Sequence, residues 1–467
     1  MLTLIRCMNQ TGLPFFSGSR RSLALGTALL LALAAAGATA QQPLTLRQAI
    51  DQALGQSPEA QIAHAEGQQA RADASLARTR LLPQLNFTEE MSRGNDPVYA
   101  FGTRLRQRAF TQSDFALSAL NRPSPIGNFA SRFSGNWLAF DSFKTQKSIR
   151  SADLMRKSTD SAAKAVNQKI VLDVVEAYQS VLYAQRQVAV AEHEQQTAQA
   201  LLAQVDDRVK AGLAVESDRM SAQVNLAART QEWIAAQGTR SMAWARLRLA
   251  MGAPTLAEAQ LQPIEPHQFP EQPLADELAT AAATRADLQS LGQAQSAQAQ
   301  AVSAARSAYG PRVSAYGNWE EDRPSITGSG GNNWVAGAQI SIDIFPAGKR
   351  AQVAHEQAAK MRLDAQLEAT RQQIQLQVSE AHIQRQTAKL SLETARAAMQ
   401  QSAESLRILR NRYNAGLATM TDLLRAEDAE RQSQANYWRS VYGNATAYAQ
   451  LLFATGTLTP DAAEVLQ

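Results

Sequence analysis

The chain has 467 residues, 45% hydrophobic, 6% aromatic and 19% charged, with 46 Lys and Arg against 42 Asp and Glu and a single cysteine. Charged residues are sparser than usual and basic runs are missing, so the formal charge of +4 does not mark a nucleic-acid-binding surface. One cysteine excludes a disulfide framework and any metal site built from clustered thiolates.

Residues 1–40 read as an export signal. Arg20 and Arg21 precede an apolar run from Leu23 to Ala36, and Ala38-Thr39-Ala40 supplies the small-x-small pattern that predicts a mature start at Gln41. The run falls short of the roughly 20 apolar residues of a spanning anchor. Cys7 lies ahead of it, which is the wrong place for a lipidation site, and SRRSL reads as an ordinary basic region before the run. Arg6, Arg20 and Arg21 are the only charged groups of the segment, so its removal leaves 43 basic against 42 acidic groups, a formal +1. No later stretch reaches about 18 apolar residues, and any bilayer crossing by the mature chain must therefore use strands.

The rest of the chain is written twice. RVKAGLAVESD at 208–218 returns as RYNAGLATMTD at 412–422, which aligns Gly212 with Gly416 and Asp218 with Asp422. The same shift brings Glu176-Ala177 onto Glu380-Ala381 and Gly252 onto Gly456. Upstream, Phe140 and Lys144 match Phe345 and Lys349, while Pro83 matches Pro311 with a different shift, so the first copy carries an insertion of about twenty residues. This predicts a first repeat over 41–253, an extended proline-rich connector over 254–273 and a second repeat over 274–467.

Each copy opens on helix. Thr45 and Gln48 form a capping box, and Ser57-Pro58-Glu59 starts a second helix able to run to Leu82 before Pro83; the second copy is helical from about Leu274 to Tyr309. A change of period from 3.6 to 2 follows. Leu85, Phe87 and Met91, then Phe129, Phe133 and Trp137, mark one pair of strands, with 93–128 as a loop and the hairpin spanning about 84–140. Val313, Ala315, Gly317 and Trp319, then Trp334, Ala336, Ala338, Ile340, Ile342 and Ile344, mark the other pair, over about 312–345. Long proline-free helix fills the remainder, with Val171, Val174, Tyr178, Val181 and Val188 at near-heptad spacing. Each long helix turns back once, at Gly212 and Gly416, where glycine supplies the left-handed geometry that closes a helix. N-caps are expected at Ser217 or Asp218 and at Thr421 or Asp422.

Strands of about ten residues with one apolar face have the length and alternation of transmembrane β-strands. A soluble hairpin would turn that face inward. In lipid, four strands leave two unpaired edges, and a barrel needs at least eight, so subunits must share one: two chains give eight strands, three give twelve. The predicted class is thus mainly α with a small membrane β-barrel, built from two tandem repeats of coiled-coil helices and a β-hairpin.

The PLTLRQAIDQAL opening, the duplicated AGLA turns with SD or TD following, and the paired helix, hairpin, helix order resemble the TolC family of outer membrane efflux proteins across essentially the whole mature chain. The resemblance implies a homotrimer with a twelve-stranded barrel in the outer membrane lipid and an α-helical barrel in the periplasm. It implies no catalytic residues, cofactor, metal or nucleic acid, and two protein partners: a periplasmic adaptor (membrane fusion) protein and an inner-membrane transporter of RND or ABC type. The positions matching the family's adaptor-contacting tips are Ala211, Gly212, Leu213, Ala214, Ala415, Gly416, Leu417 and Ala418. Asp218 and Tyr413 match residues that bridge neighbouring helices at the periplasmic gate, and Asp422 matches an acidic residue facing the lumen. The pattern departs at Ala418, where an arginine is expected, and at Arg425, which replaces a second lumen aspartate, so that Asp422 and Arg425 would partly neutralise the throat. Efflux of small molecules is favoured over type I protein secretion through the same fold. A trimeric coiled-coil stalk or adhesin would explain export and Ala/Gln-rich helices, but not a hairpin in the middle of each half.

Other motifs carry no chemistry. Ser161 to Lys164 fits SxxK without its partner motifs, His355-Glu356 lacks the second histidine of HExxH, and Gly328 to Gly331 lacks the following Lys of a phosphate loop.

Overall fold

A computed structural model describes residues 43–263 and 268–466. The expected export signal lies outside the described residues.

The first half begins with α1 (Leu46–Gln56) and α2 (Pro58–Thr79). Thr45 accepts from the Gln48 amide and Gln48 returns the bond to the Thr45 amide, while Ser57 caps α2 with Pro58 in its first turn. α2 stops three residues earlier than expected. The residue before Pro83 is biased away from helix, and the freed Leu81 carbonyl accepts a 2.9 Å bond from the Trp137 indole.

Strand β1 (Gln84–Gly94) leads into a segment that differs from the expected loop. It folds as α3 (Pro97–Arg106), a 3₁₀ turn over Gln112–Phe115 and the single turn α4 (Leu117–Asn121), before β2 (Ile126–Phe140) returns. Asp96 caps α3 by accepting from the Tyr99 amide at 2.8 Å, with Pro97 in the first turn. The Gly, Pro and Asn content therefore marks short helix boundaries in this segment.

From β2 the chain enters α5 (Lys144–Lys210), 67 residues and roughly 100 Å long. Ser142 and Phe143 take left-handed backbone angles at the junction. Asp141 reaches over them to accept from the amide and hydroxyl of Thr145 at 2.9 and 2.6 Å, which supplies the cap that Phe143 cannot. α6 (Glu216–Ala250) runs back along α5.

The second half repeats this order: α7 (Leu274–Thr284), α8 (Ala286–Ser307), β3 (Arg312–Arg323), β4 (Gly331–Ser341), α9 (Ala347–Asn414) and α10 (Met420–Ala454), with α11 (Pro460–Glu464) after it. Two expectations are corrected here. The opening helix is broken at Arg285, whose backbone leaves the helical region without any Ser-Pro signal. β4 ends at Ser341, so Ile342 and Ile344 lie beyond the ladder despite keeping its alternation. Phe345, matched above to the β2 residue Phe140, is likewise outside any strand.

Both kinks are received by a glycine from the far end of a long helix. Gly252 (φ +67°) sits so close to the α1–α2 corner that a Cβ would lie 2.8 Å from Ser57 Cα, and Gly456 (φ +74°) abuts Arg285 in the same way at 3.0 Å. The main core gathers around these corners: Leu46, Ile50, Val174, Tyr178, Val181, Trp244, Leu247 and Met251 are all fully or almost fully buried. Tyr178 ties the core to the start of the first repeat and to the connector, its hydroxyl lying 2.8 Å from the Leu44 carbonyl and 3.1 Å from that of Gln262. Leu44 in turn pairs as an isolated parallel bridge with Leu261 of the connector.

Above the core, α5 zips to α8 through small polar residues. Ser158 donates to the Ser290 carbonyl and Ser151 to the Ala297 carbonyl, both at 2.8 Å, a closeness that Ala- and Ser-rich surfaces permit. The four strands form one antiparallel sheet in the order β1-β2-β3-β4, continuous across the two halves and open at both edges. Its register lines up Phe87, Phe133, Trp319 and Trp334 in a single row, with Phe87 and Phe133 centroids 4.8 Å apart. That row, with Leu85, Trp137 and Ile340 on the same face, is exposed. The opposite face carries Asn86, Asn128, Arg132, Asn136, Glu320 and Asp322.

Candidate functional site

The far ends of the long helices form two tips of identical backbone design. At the first, the Gly212 amide donates to the Val209 carbonyl and the Leu213 amide to the Arg208 carbonyl; at the second, Gly416 donates to Tyr413 and Leu417 to Arg412. These are complete Schellman closures, and they require the left-handed angles of Gly212 (φ +72°) and Gly416 (φ +75°). Ala211, Gly212 and Leu213 are exposed and Ala214 half-buried, and Ala415, Gly416, Leu417 and Ala418 repeat that pattern. Leu213 and Leu417 are 72% and 69% exposed, so each tip presents a leucine to its surroundings, joined at the first tip by Val215 at 60%.

The helix starts beyond the turns differ from expectation by two residues. Thr419 caps α10, accepting from the Asp422 amide while Asp422 accepts from the Thr419 amide and hydroxyl at 3.1 and 2.6 Å. In the first copy the equivalent cap is Val215, which has no side-chain oxygen, and its carbonyl alone receives the Asp218 amide at 3.0 Å. Ser217, Asp218, Thr421 and Asp422 therefore lie inside the first turns. The Thr419 hydroxyl and amide hold the Asp422 carboxyl below its ordinary value, with Arg425 and Arg412 adding to the effect.

Tyr413 is buried, and its surroundings explain why. With Leu201, Val205, Ala222, Met420 and Leu423 it forms an apolar cluster that packs one tip against the other, with the Arg208 guanidinium 5.1 Å from its ring centre. No hydrogen bond joins Tyr413 to Asp218 among the described residues. Arg425 is exposed on α10, three residues from Asp422.

Polar ties above the tips were not foreseen from sequence, because they depend on helix pairing. Gln204 donates to Asn414 at 3.2 Å between α5 and α9, and Arg229 on α6 donates to Asp428 on α10 at 2.9 Å and to Glu232 at 2.8 Å. Glu194 on α5 and Glu427 on α10 stand near Arg229, and Glu430 on α10 stands near Glu194. Burial pushes the Glu194 carboxyl up, and Glu430 and Glu427 push it further; burial likewise raises Glu427 despite its 3.3 Å contact with Arg410.

The arrangement thus consists of two long helical hairpins joined at their tips, an exposed apolar residue on each tip, and an open sheet at the other end with its apolar face outward. Comparison with known proteins agrees with this architecture. The chain is 27% identical to outer membrane protein OprJ of Pseudomonas aeruginosa over 403 residues, covering 84% of this chain and 79% of OprJ. It is 23% identical to the alkaline protease secretion protein AprF of the same organism over 422 residues, covering 87% and 83%. The crystal structure of the Campylobacter jejuni CmeC outer membrane channel superposes with a TM-score of 0.73 at 18% identity, covering 88% of this chain and 85% of that one. The family model for outer membrane efflux proteins matches residues 49–253 and 278–457, leaving out the connector between the halves. The chain belongs to the outer membrane efflux protein family.

Proposed function

We propose that three copies assemble into a passive conduit of a tripartite efflux system. Their twelve strands would close one barrel in the outer membrane, and their long helices would form a tube through the periplasm. The observation that carries this reading is the open four-stranded sheet, apolar on one face and unpaired at both edges. In a bilayer those edges need partners. β1 runs away from the helices and β4 runs back towards them, so β4 of one copy can pair antiparallel with β1 of the next, and the up-down order continues around a closed ring. Exposed apolar residues on the long helices, among them Val224, Leu249, Ile383 and Leu390, offer surface for the same neighbours.

The tips are the docking surface for a periplasmic adaptor, with Leu213 and Leu417 as anchors, and an inner-membrane pump of RND or ABC type supplies the energy. Asp218, Tyr413, Asp422 and Arg425 belong to the gate at this end, Tyr413 acting through the apolar cluster that holds the two tips together. Small molecules are the preferred cargo, in line with the efflux family model; similarity to the alkaline protease secretion protein AprF keeps type I protein secretion as the second reading.

The experiment is single-channel recording of the purified protein in planar bilayers, with mass measurement of the detergent-solubilised assembly. A trimer with open or gated conductance supports the conduit. A trimer silent under every condition would favour the stalk instead, and a monomer would overturn both readings.

A further inference from the structure

The segment between β1 and β2 does not hang free beyond the sheet: it crosses the polar face at the end farthest from the long helices. Tyr99 begins the crossing against β1, its hydroxyl 2.8 Å from Ser92 Oγ and its ring packed on Gly94. Gln107, at the end of α3, donates from Nε2 to the Gly127 carbonyl and to Asn128 Oδ1 on β2, both at 2.9 Å. Asn128 passes the connection on by donating to Asp322 Oδ1 on β3 at 2.6 Å, and Asp322 is fully buried beneath. Arg106 stands 3.8 Å from Glu320, which itself holds Arg132 through two 3.1 Å bonds. On β4, Arg108 donates to the Asn332 carbonyl at 2.7 Å, and the Arg106 carbonyl comes so near Gly331 that a Cβ there would lie 2.1 Å from it. Ten helical residues cover about 15 Å, close to the width of four strands.

The fastening residues Ser92, Asn128, Glu320 and Asp322 all belong to the face opposite the exposed row of Phe87, Phe133, Trp319 and Trp334. If that aromatic row meets lipid, the crossing segment lies inside the barrel. Its bonds to Asn128 are buried on both sides, so lifting it strands polar groups in a dry site, and it behaves as a fixed part of the wall. We propose that residues 97–121 form a lid built across the outer mouth of the channel, three copies of which narrow the exit and set the largest hydrophilic solute that can pass. The proposal rests on the shared-barrel reading above.

The test uses Asn136→Cys, since Asn136 is exposed on the same polar face nearer the helices and Cys7, the only native cysteine, lies upstream of the described residues. Intact cells are treated from outside with a small charged maleimide and with a polyethylene-glycol maleimide too bulky for general porins. With the lid present, the small reagent is expected to label position 136 and the bulky one to be excluded. Replacing 97–121 by a short Gly-Ser link should remove the exclusion; if that variant fails to reach the outer membrane, Arg106→Ala with Gln107→Ala is read the same way. Ready labelling by the bulky reagent with the lid intact would overturn the lid and leave the barrel standing. Absence of labelling by the small reagent in every variant would mean that no water-filled lumen exists at this position, and the barrel reading itself would fall.

Discussion

Arg229 on α6 donates to Asp428 on α10 across 2.9 Å, joining the two helical hairpins above their tips. The two partners are unequal. The Arg229 side chain is 11% exposed and also holds Glu232 and Asn225, whereas Asp428 is 57% exposed. Removing Asp428 leaves Arg229 with two other acceptors, and Asp428→Ala should cost under about 1 kcal/mol. Arg229→Ala loses the buried stem and every tie at once, about 1–2 kcal/mol. The expected result is a lower melting temperature and a larger mean conductance for Arg229→Ala than for Asp428→Ala; equal effects would contradict a latch centred on the arginine.

The same region should make the helical tube tighter in mild acid. Glu194 and Glu427 have carboxyls raised above the ordinary 4.5, so the folded state binds protons more readily than the unfolded chain. Stability from these groups is then greatest below 4.5 and is lost as pH rises through their folded values. Carboxyls held low by partners, such as Asp422 and Glu404, act in the opposite sense, but only below their ordinary values of 3.8 and 4.5. Thermal unfolding should therefore shift upward between neutrality and about pH 5. Glu194→Gln, which removes one carboxyl facing Glu427, Glu430, His193 and Arg229, should raise stability at neutral pH and flatten the profile. An unchanged slope in that variant would assign the pH response elsewhere.

Glycine positions separate folding from docking. All four positive-φ glycines among the described residues close a helix, yet a Cβ at Gly212 or Gly416 meets nothing within 4 Å, whereas at Gly252 it would strike Ser57 and Gln56 backbone atoms. Gly212→Ala pays only the left-handed penalty of about 1–2 kcal/mol and should still reach the outer membrane as an assembled protein. Gly252→Ala must also displace the α1–α2 corner and should sharply reduce the assembled form. Drug susceptibility is the second readout: Gly212→Ala should lose efflux at normal protein levels, which weakened adaptor docking explains and misfolding does not.

Local signals were legible because they act over a few residues. Thr45 with Gln48, Ser57 with Pro58, the two AGLA turns and the period-2 rows of β1 to β4 each gave their element directly from sequence. The N-caps lie two residues earlier than expected for different reasons: Val215 carries no side-chain signal at all, whereas Thr419 with Asp422 three residues on is a capping box that the sequence displays but that Thr421-Asp422 overshadows. Asp96-Pro97 was a cap signal of the same kind as Ser57-Pro58, submerged in a segment whose composition read as loop. The Arg229 tie and the Glu194, Glu427 and Glu430 cluster depend on pairing of helices far apart in the chain, which no local pattern encodes.

The unequal caps of the two tips give the last prediction. Thr419 and Asp422 form a full capping box, while Val215 and Asp218, at the equivalent positions, form none. Val215→Thr restores the missing hydroxyl opposite an acid already in place and should stabilise the first tip by about 1 kcal/mol; Thr419→Val should weaken the second by a similar amount. Amide hydrogen exchange reads the two tips separately, so Val215→Thr should slow exchange in the first turn of α6 and leave α10 unchanged. If the gate works by loosening the less firmly capped tip, Val215→Thr should also lower the open probability in bilayers while Thr419→Val raises it. Slower exchange without any change in opening would show that tip 1 is a static end and would move the gate to the side of Tyr413 and Asp422.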